Sequence, residues 1–178
     1  NILLATIPAG LLGYLLEDIV ENYLRNRFLE ICLLLIILGL VFLMVKERGD
    51  KTLENMTGKA ALFIGFAQAL ALLPGVSRSG ITLLAGLLCG LQEKEAVLFS
   101  FFLSVTTIGG AFILGIRNLS FSGNLLSPEL VSGFLASLGS GLLACFLLLK
   151  IVEKKGLKPF GYYRILFGGI MFIWFLVH

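Results

Sequence analysis

Long, almost uncharged apolar runs decide what this chain can fold into. A bilayer core of about 30 Å takes about 20 helical residues to cross. Runs of that order recur at residues 1–16, 28–45, 96–116, 130–149 and 160–177. Each is read as one spanning helix, because in hydrocarbon every backbone N–H and C=O must find its partner within the segment. The composition agrees, with a mean hydropathy of +0.99. Only 14% of residues are charged, where soluble domains carry about a quarter. The expected fold class is an all-α polytopic membrane protein.

The apolar stretch 60–91 does not fit one span, because Pro74, Gly75 and Gly80 break it into two short arms. The loop charges choose between two ways of placing it. A single kinked crossing would put the basic loops 46–59 and 150–158 on opposite sides of the membrane. A re-entrant hairpin puts both on one side with Lys94. Nine basic residues (Lys46, Arg48, Lys51, Lys59, Lys94, Lys150, Lys154, Lys155, Lys158) then face Arg25, Arg27 and Arg117 outside, as the positive-inside rule favours. The reading is five spanning helices plus one re-entrant helical hairpin in a single membrane domain, 1–178. Within it, 1–59 holds two spans and a basic loop, 60–91 the hairpin, and 92–178 three spans.

The hairpin tip, Leu72 to Thr82, reads LLPGVSRSGIT and carries Arg78 between two serines. A charge in or near hydrocarbon costs from about 2.5 to above 10 kcal/mol, so it normally faces a partner, a polar cavity or a substrate. Pro74 removes a backbone donor, and Gly75 and Gly80 admit angles that other residues resist. Backbone freed in this way survives at membrane depth only where protein covers it or it lines a wet cavity. The second arm is expected to start near Ser79 to Thr82, where amides and the positive dipole end favour an anion. The Arg78 guanidinium and the hydroxyls of Ser77, Ser79 and Thr82 complete a phosphate cradle, since arginine suits bidentate contact with phosphate oxygens. The alternative is an Arg78 that snorkels or pairs with a carboxylate elsewhere.

PGVSRSGIT, Pro74 to Thr82, resembles position for position the PGxSRSxxT signature of the undecaprenyl-diphosphate phosphatases, the bacitracin-resistance protein family. The resemblance runs from IPA at Ile7 to Ala9, through Gln68 and FSFFLSV at Phe99 to Val105, to PFGYYR at Pro159 to Arg164. The chain looks like the C-terminal two thirds of such a protein. The resemblance implies two inverted repeats, each with a re-entrant helix pair, and a ligand site near the midplane where broken helices meet. It implies hydrolysis of a C55 polyprenyl diphosphate to the monophosphate, recycling the carrier for cell-wall assembly and giving bacitracin resistance, in the bacterial inner membrane. Arg78 would neutralise phosphoryl charge. Ser77 would act as nucleophile or hydrogen-bond donor, with Ser79, Gly80, Thr82, Gly75 and Gln68 binding substrate. Water activated by a carboxylate, or by Mg²⁺ or Ca²⁺, is the other route. Metal ligands and a base are expected in the other repeat's hairpin, because this chain's single histidine is the terminal His178. Glu17 and Glu21 match that hairpin's ExxxE pattern by spacing alone, and are placed with Asp18 in an outer loop.

Other features receive plainer readings. NILLATIPAGLLGYLL at the start has no basic n-region and reads as a span entered partway, so the chain is expected to be a fragment. Cys32, Cys89 and Cys145 lie in apolar runs as small packing residues. Thr106 and Thr107 with Gly109 and Gly110, then Gly86 with Gly90, and Gly133, Ser137 and Gly141, are read as close helix-packing positions. Gln68 is equally open to a packing role. Arg164 is expected to snorkel to the cytoplasmic interface. Glu93 and Glu95 suit a helix N-terminus, and Ser127, Pro128 and Glu129 a cap and first turn. Trp174, Tyr162 and Tyr163 read as interfacial anchors. The net charge of +3 lies in loops and argues against nucleic acid as a partner. The expected partners are the membrane and the polyprenyl diphosphate, with a homodimer left open. No glycine-rich nucleotide loop or CxxC pair supports an ATP-driven pump. A transporter or flippase for a polyprenyl phosphate or another anion is the competing class, because a cradle can bind without hydrolysing.

Overall fold

A computed structural model describes residues 1–19, 27–45, 49–116 and 127–177, and their side chains apart from those of residues 14, 16–19, 114 and 116. Among the described residues the regular secondary structure is helical, with no strand. Seven α-helices follow one another: α1 (Ile2–Ile19), α2 (Phe28–Met44), α3 (Gly58–Ala69), α4 (Arg78–Leu88), α5 (Glu93–Ile116), α6 (Pro128–Lys155) and α7 (Lys158–Val177). A short 3₁₀ turn, Leu70–Leu72, extends α3. The sole extended pairing described is an isolated bridge between Lys51 and Leu91.

Among the described residues three helices are long and apolar enough to cross a membrane, α5, α6 and α7. With its lipid-like composition, this makes the chain a multi-pass membrane protein. The 17 residues of α2 amount to about 25 Å at 1.5 Å per residue, short of a full hydrocarbon core. Pro8 lies inside α1. That helix also runs on past the expected end of its span, so Glu17 and Asp18 are helix residues rather than loop residues. Glu21, Arg25, Lys46, Arg48, Arg117 and His178 lie outside the described residues.

Helix starts follow their capping residues. Thr57 accepts from the Ala60 amide at the start of α3 and Ser127 from the Leu130 amide at the start of α6, where Pro128 opens the first turn. Both satisfy donors that the helix itself leaves unpaired.

In lipid, helices associate through close packing more than through water exclusion, so small residues mark the seams. The most extensively packed pairs are α2 with α7, α1 with α3, and α4 with α5. A Cβ on Gly39 of α2 would come within 2.9 Å of the Gly161 carbonyl of α7, and a Cβ on Gly161 within 2.8 Å of the Gly39 carbonyl. Gly65 of α3 is pressed in the same way against the Ala5 carbonyl of α1. Gly86 approaches Ala96 of α5. Other expected packing positions are open among the described residues: none of these lies within 4 Å of a Cβ built on Gly109, Gly110, Gly133 or Gly141. Helix α6 turns most of its length outward, with Val152 its one buried described residue. Thr106 does reach a neighbour, sharing a 2.7 Å hydrogen bond with Thr6 of α1.

Helix α4 is the innermost element, with every residue from Ile81 to Leu87 buried. Its two ends are held differently. At the C-terminal end the Lys51 amide donates to the Gly90 carbonyl and the Gln92 amide to the Lys51 carbonyl. The Leu53 amide donates to Glu95, and Lys94 pairs with Glu153 of α6 at 3.6 Å. The stretch before α3, the turn after α4 and the end of α6 therefore meet at one end of the molecule. Glu95 also has a definite partner here, beyond favouring a helix terminus.

Candidate functional site

The other end of α4 is the PGVSRSG turn. Gly75 adopts φ +91°, an angle available to glycine and strained for side chains with a Cβ. The chain needs it to reverse between the 3₁₀ turn and α4. A Cβ there would also press to 2.9 Å from the Ile31 carbonyl of α2. At the far side of the turn, a Cβ on Gly80 would lie 2.7 Å from Cζ of Phe42. The two glycines let α2 pass against the turn at both sides.

Ser77 is the N-cap of α4, and its Oγ accepts from the Gly80 amide at 3.2 Å. The helix starts at Arg78, earlier than the sequence suggested, because a serine cap three residues ahead of an amide satisfies the first turn. The Ser77 and Ser79 hydroxyls stand 3.4 Å apart. Arg78 is exposed, and among the described residues its guanidinium forms no ion pair or hydrogen bond. The carboxylate pairing open to it in sequence is not made there. The first turn of α4 thus brings together backbone amides, the positive end of the helix dipole and an exposed cation, features that favour an anion.

Thr82 sits elsewhere. It is 2% exposed, and its hydroxyl bonds the carbonyls of Arg78 and Ser79 and the Ser100 hydroxyl at 2.7 Å. Ser100 of α5 also donates to the Ser79 carbonyl. Thr82 and Ser100 therefore lock the first turn of α4 onto α5 from behind. Gln68 is buried in α3, and its Oε1 has no described hydrogen-bond partner.

Arg164 is a correction. It does not snorkel: it is 8% exposed and donates a hydrogen bond from a guanidinium nitrogen to the Gly75 carbonyl. Its Cζ lies 5.7 Å from the Phe42 ring centre, a cation–π distance. The glycine seam between α2 and α7 explains the difference. With no side chains on Gly39 and Gly161, the helices approach so closely that Arg164 enters the protein rather than bending to the interface. The warning in sequence was a cation seven residues into an apolar helix. Ser100 carried a weaker one, a hydroxyl within an aromatic run.

The residues present do not fit a divalent-cation site. An arginine between two hydroxyls supplies positive charge and no carboxylate, and among the described residues no three His, Cys, Asp or Glu side chains gather.

The model of the bacitracin resistance protein BacA family matches residues 1–170. An undecaprenyl-diphosphatase of Methanobrevibacter smithii is 36% identical over 99% of this chain and 65% of its own length. One from Geobacter sulfurreducens is 41% identical over 94% of this chain and 64% of its own. One from Caldicellulosiruptor bescii is 40% identical over 99% and 67%. The chain thus spans about two thirds of the length of these curated relatives. The match covers both glycine-seamed helix pairs and the Arg78 turn, and on it the chain belongs to the bacitracin resistance protein family.

Proposed function

We propose that this chain supplies one half of the site of an undecaprenyl-diphosphatase, which hydrolyses undecaprenyl diphosphate to undecaprenyl phosphate and inorganic phosphate. Such an activity recycles the lipid carrier of cell-wall synthesis and confers bacitracin resistance. The observation that carries the reading is Arg78, exposed and unpaired among the described residues, in the first turn of α4 whose Ser77 and Ser79 hydroxyls stand 3.4 Å apart. Family membership and the printed activity of the relatives support it.

In this proposal the chain is the C-terminal two thirds of the protein and lies in the bacterial inner membrane. Segment 60–91 is a re-entrant hairpin and the other five helices, α1, α2, α5, α6 and α7, span, as part of an inverted repeat. The pairing of Lys51 with Leu91 supports the hairpin, since it sets the stretch before that segment against its end. Arg78 grips the phosphoryl oxygens bidentately and stabilises charge that grows in the transition state. Ser77 and Ser79 donate hydrogen bonds to the same group. Gly75 and Gly80 let the backbone approach, Thr82 holds the first turn, and Gln68, buried with its Oε1 unpartnered among the described residues, is assigned to substrate binding. Ser77 already accepts from Gly80 and has no described base beside it, which favours donation over attack. The base, and the ligands for any Mg²⁺ or Ca²⁺, belong to the other repeat in this reading. A second copy of the chain is a compatible partner.

The test is phosphate release from a polyprenyl diphosphate by the intact protein reconstituted in vesicles. Release that depends on Arg78 is expected. Lipid movement across the bilayer without release would replace the phosphatase with a flippase.

A further inference from the structure

Arg164 is buried, charged and without a carboxylate partner among the described residues. Burying a guanidinium in such a place is costly unless its hydrogen bonds and its charge are both used. One nitrogen donates to the Gly75 carbonyl, and the cation lies over Phe42. The same Phe42 ring presses on Gly80, so Arg164 and Phe42 touch the turn on either side of Ser77, Arg78 and Ser79. Nε of Arg164 has no described partner. The backbone beneath it is fixed, because a Cβ on Gly39 would stand 3.2 Å from the Arg164 Cβ.

We propose that Arg164 is a positioning residue of the anion site: by holding the Gly75 carbonyl it sets the Gly75–Gly80 turn and so aims Arg78 and the serine hydroxyls. This rests on the proposed phosphatase reading for its catalytic consequence, but not for the clamp itself. A glycine at φ +91° adds flexibility at the point where the site needs a fixed geometry. A charge-assisted hydrogen bond to its carbonyl removes that freedom. Because the contact is to backbone, its effect falls on orientation. Loss of orientation lowers the rate of the bound complex more than it weakens binding.

The experiment uses the intact protein in detergent, with two readouts. The first is kcat and KM for polyprenyl diphosphate hydrolysis by the wild type, Arg164→Gln and Arg164→Lys. The second is the rate at which a thiol reagent labels Val76→Cys in a background without other cysteines, with and without each Arg164 change. Loss of a charge-assisted hydrogen bond corresponds to about 10- to 100-fold. Arg164→Gln is therefore expected to lower kcat about that much, with KM changed less than about threefold, and to accelerate labelling at position 76. Arg164→Lys keeps one donor and is expected to recover part of both. Unchanged labelling in both variants would overturn the clamp, as would a raised KM with kcat preserved, which would make Arg164 a ligand contact. If Arg164→Gln fails to fold, the lysine variant decides by the same criteria. If the wild type releases no phosphate while labelling responds as expected, the phosphatase reading fails and the clamp stands.

Discussion

At the residue scale, the chemistry divides between two arginines with opposite surroundings. Arg78 is exposed and unpaired among the described residues; Arg164 is buried behind the turn. An exposed cation kept free beside two hydroxyls is available to a ligand, whereas a buried one bonded to backbone is available to the fold. For Arg78 the planar fork matters as well as the charge. Arg78→Ala is expected to lower phosphate release by the intact protein at least about 100-fold, the scale of one preorganised charge-stabilising group. Arg78→Lys is expected to keep a small fraction, since lysine retains the charge without the bidentate geometry. Near-normal release from Arg78→Ala would remove it from the site. Thr82 has a different expectation. Its hydroxyl is spent on the Arg78 and Ser79 carbonyls and on Ser100. Thr82→Val keeps the shape and is expected to cost about 1 kcal/mol of thermal stability in detergent. Its activity loss should come with that looseness, and a fully stable but inactive Thr82→Val would make the hydroxyl a substrate contact instead.

At the scale of elements, α4 and its turn are the working part and α2 with α7 the brace. The turn reverses direction through Gly75 at φ +91°. Gly75→Ala adds about 1–2 kcal/mol of backbone strain and a contact with the Ile31 carbonyl 2.9 Å away. The expected result is a lower melting temperature together with a much larger loss of turnover, because the strain falls where Arg164 holds the carbonyl. A variant with wild-type melting and wild-type turnover would show that the turn does not need this angle. Helix α4 tolerates little change elsewhere too. It is buried from Ile81 to Leu87, so its register against α5 is set on all sides by packed neighbours.

At the scale of the whole molecule, contacts gather at one end. Lys51 pairs with Leu91, Leu53 with Glu95 and Lys94 with Glu153. If this end faces one compartment, single cysteines at Thr52 and Lys155 are expected to react with a membrane-impermeant reagent from the same side. Labelling from opposite sides would restore a kinked single crossing of residues 60–91. Much of this arrangement was legible in advance. Apolar run lengths reflect the thickness of hydrocarbon and need no tertiary contact, so the long helices α5, α6 and α7 were visible in outline. Local punctuation was partly readable: Pro74 and Gly75 announced the break and Ser127 its cap, whereas the start of α4 was expected near Ser79 to Thr82 and the capping role of Ser77 appeared only in the structure. Packing was less so. The small residues of α6 look like a seam, yet nothing described lies against Gly133 or Gly141, while the actual seams run through Gly39, Gly161 and Gly65. Spacing marks where a close approach is possible; it does not say which helix comes.

By itself, then, the sequence determined that this chain lives in lipid, that it is helical, where the apolar helix breaks, and that a cation with two hydroxyls stands at the break. Each follows from hydrocarbon solvation, proline and glycine geometry or capping, which act over a few residues. Only the tertiary structure decided that Arg78 is left open while Arg164 is drawn in to the Gly75 carbonyl, that Thr82 bonds backward to Ser100, and that Lys51 before α3 pairs with Leu91 after α4. Those outcomes depend on which helices touch. The Arg164–Gly75 contact joins residues 89 positions apart in the chain, beyond the reach of any local pattern.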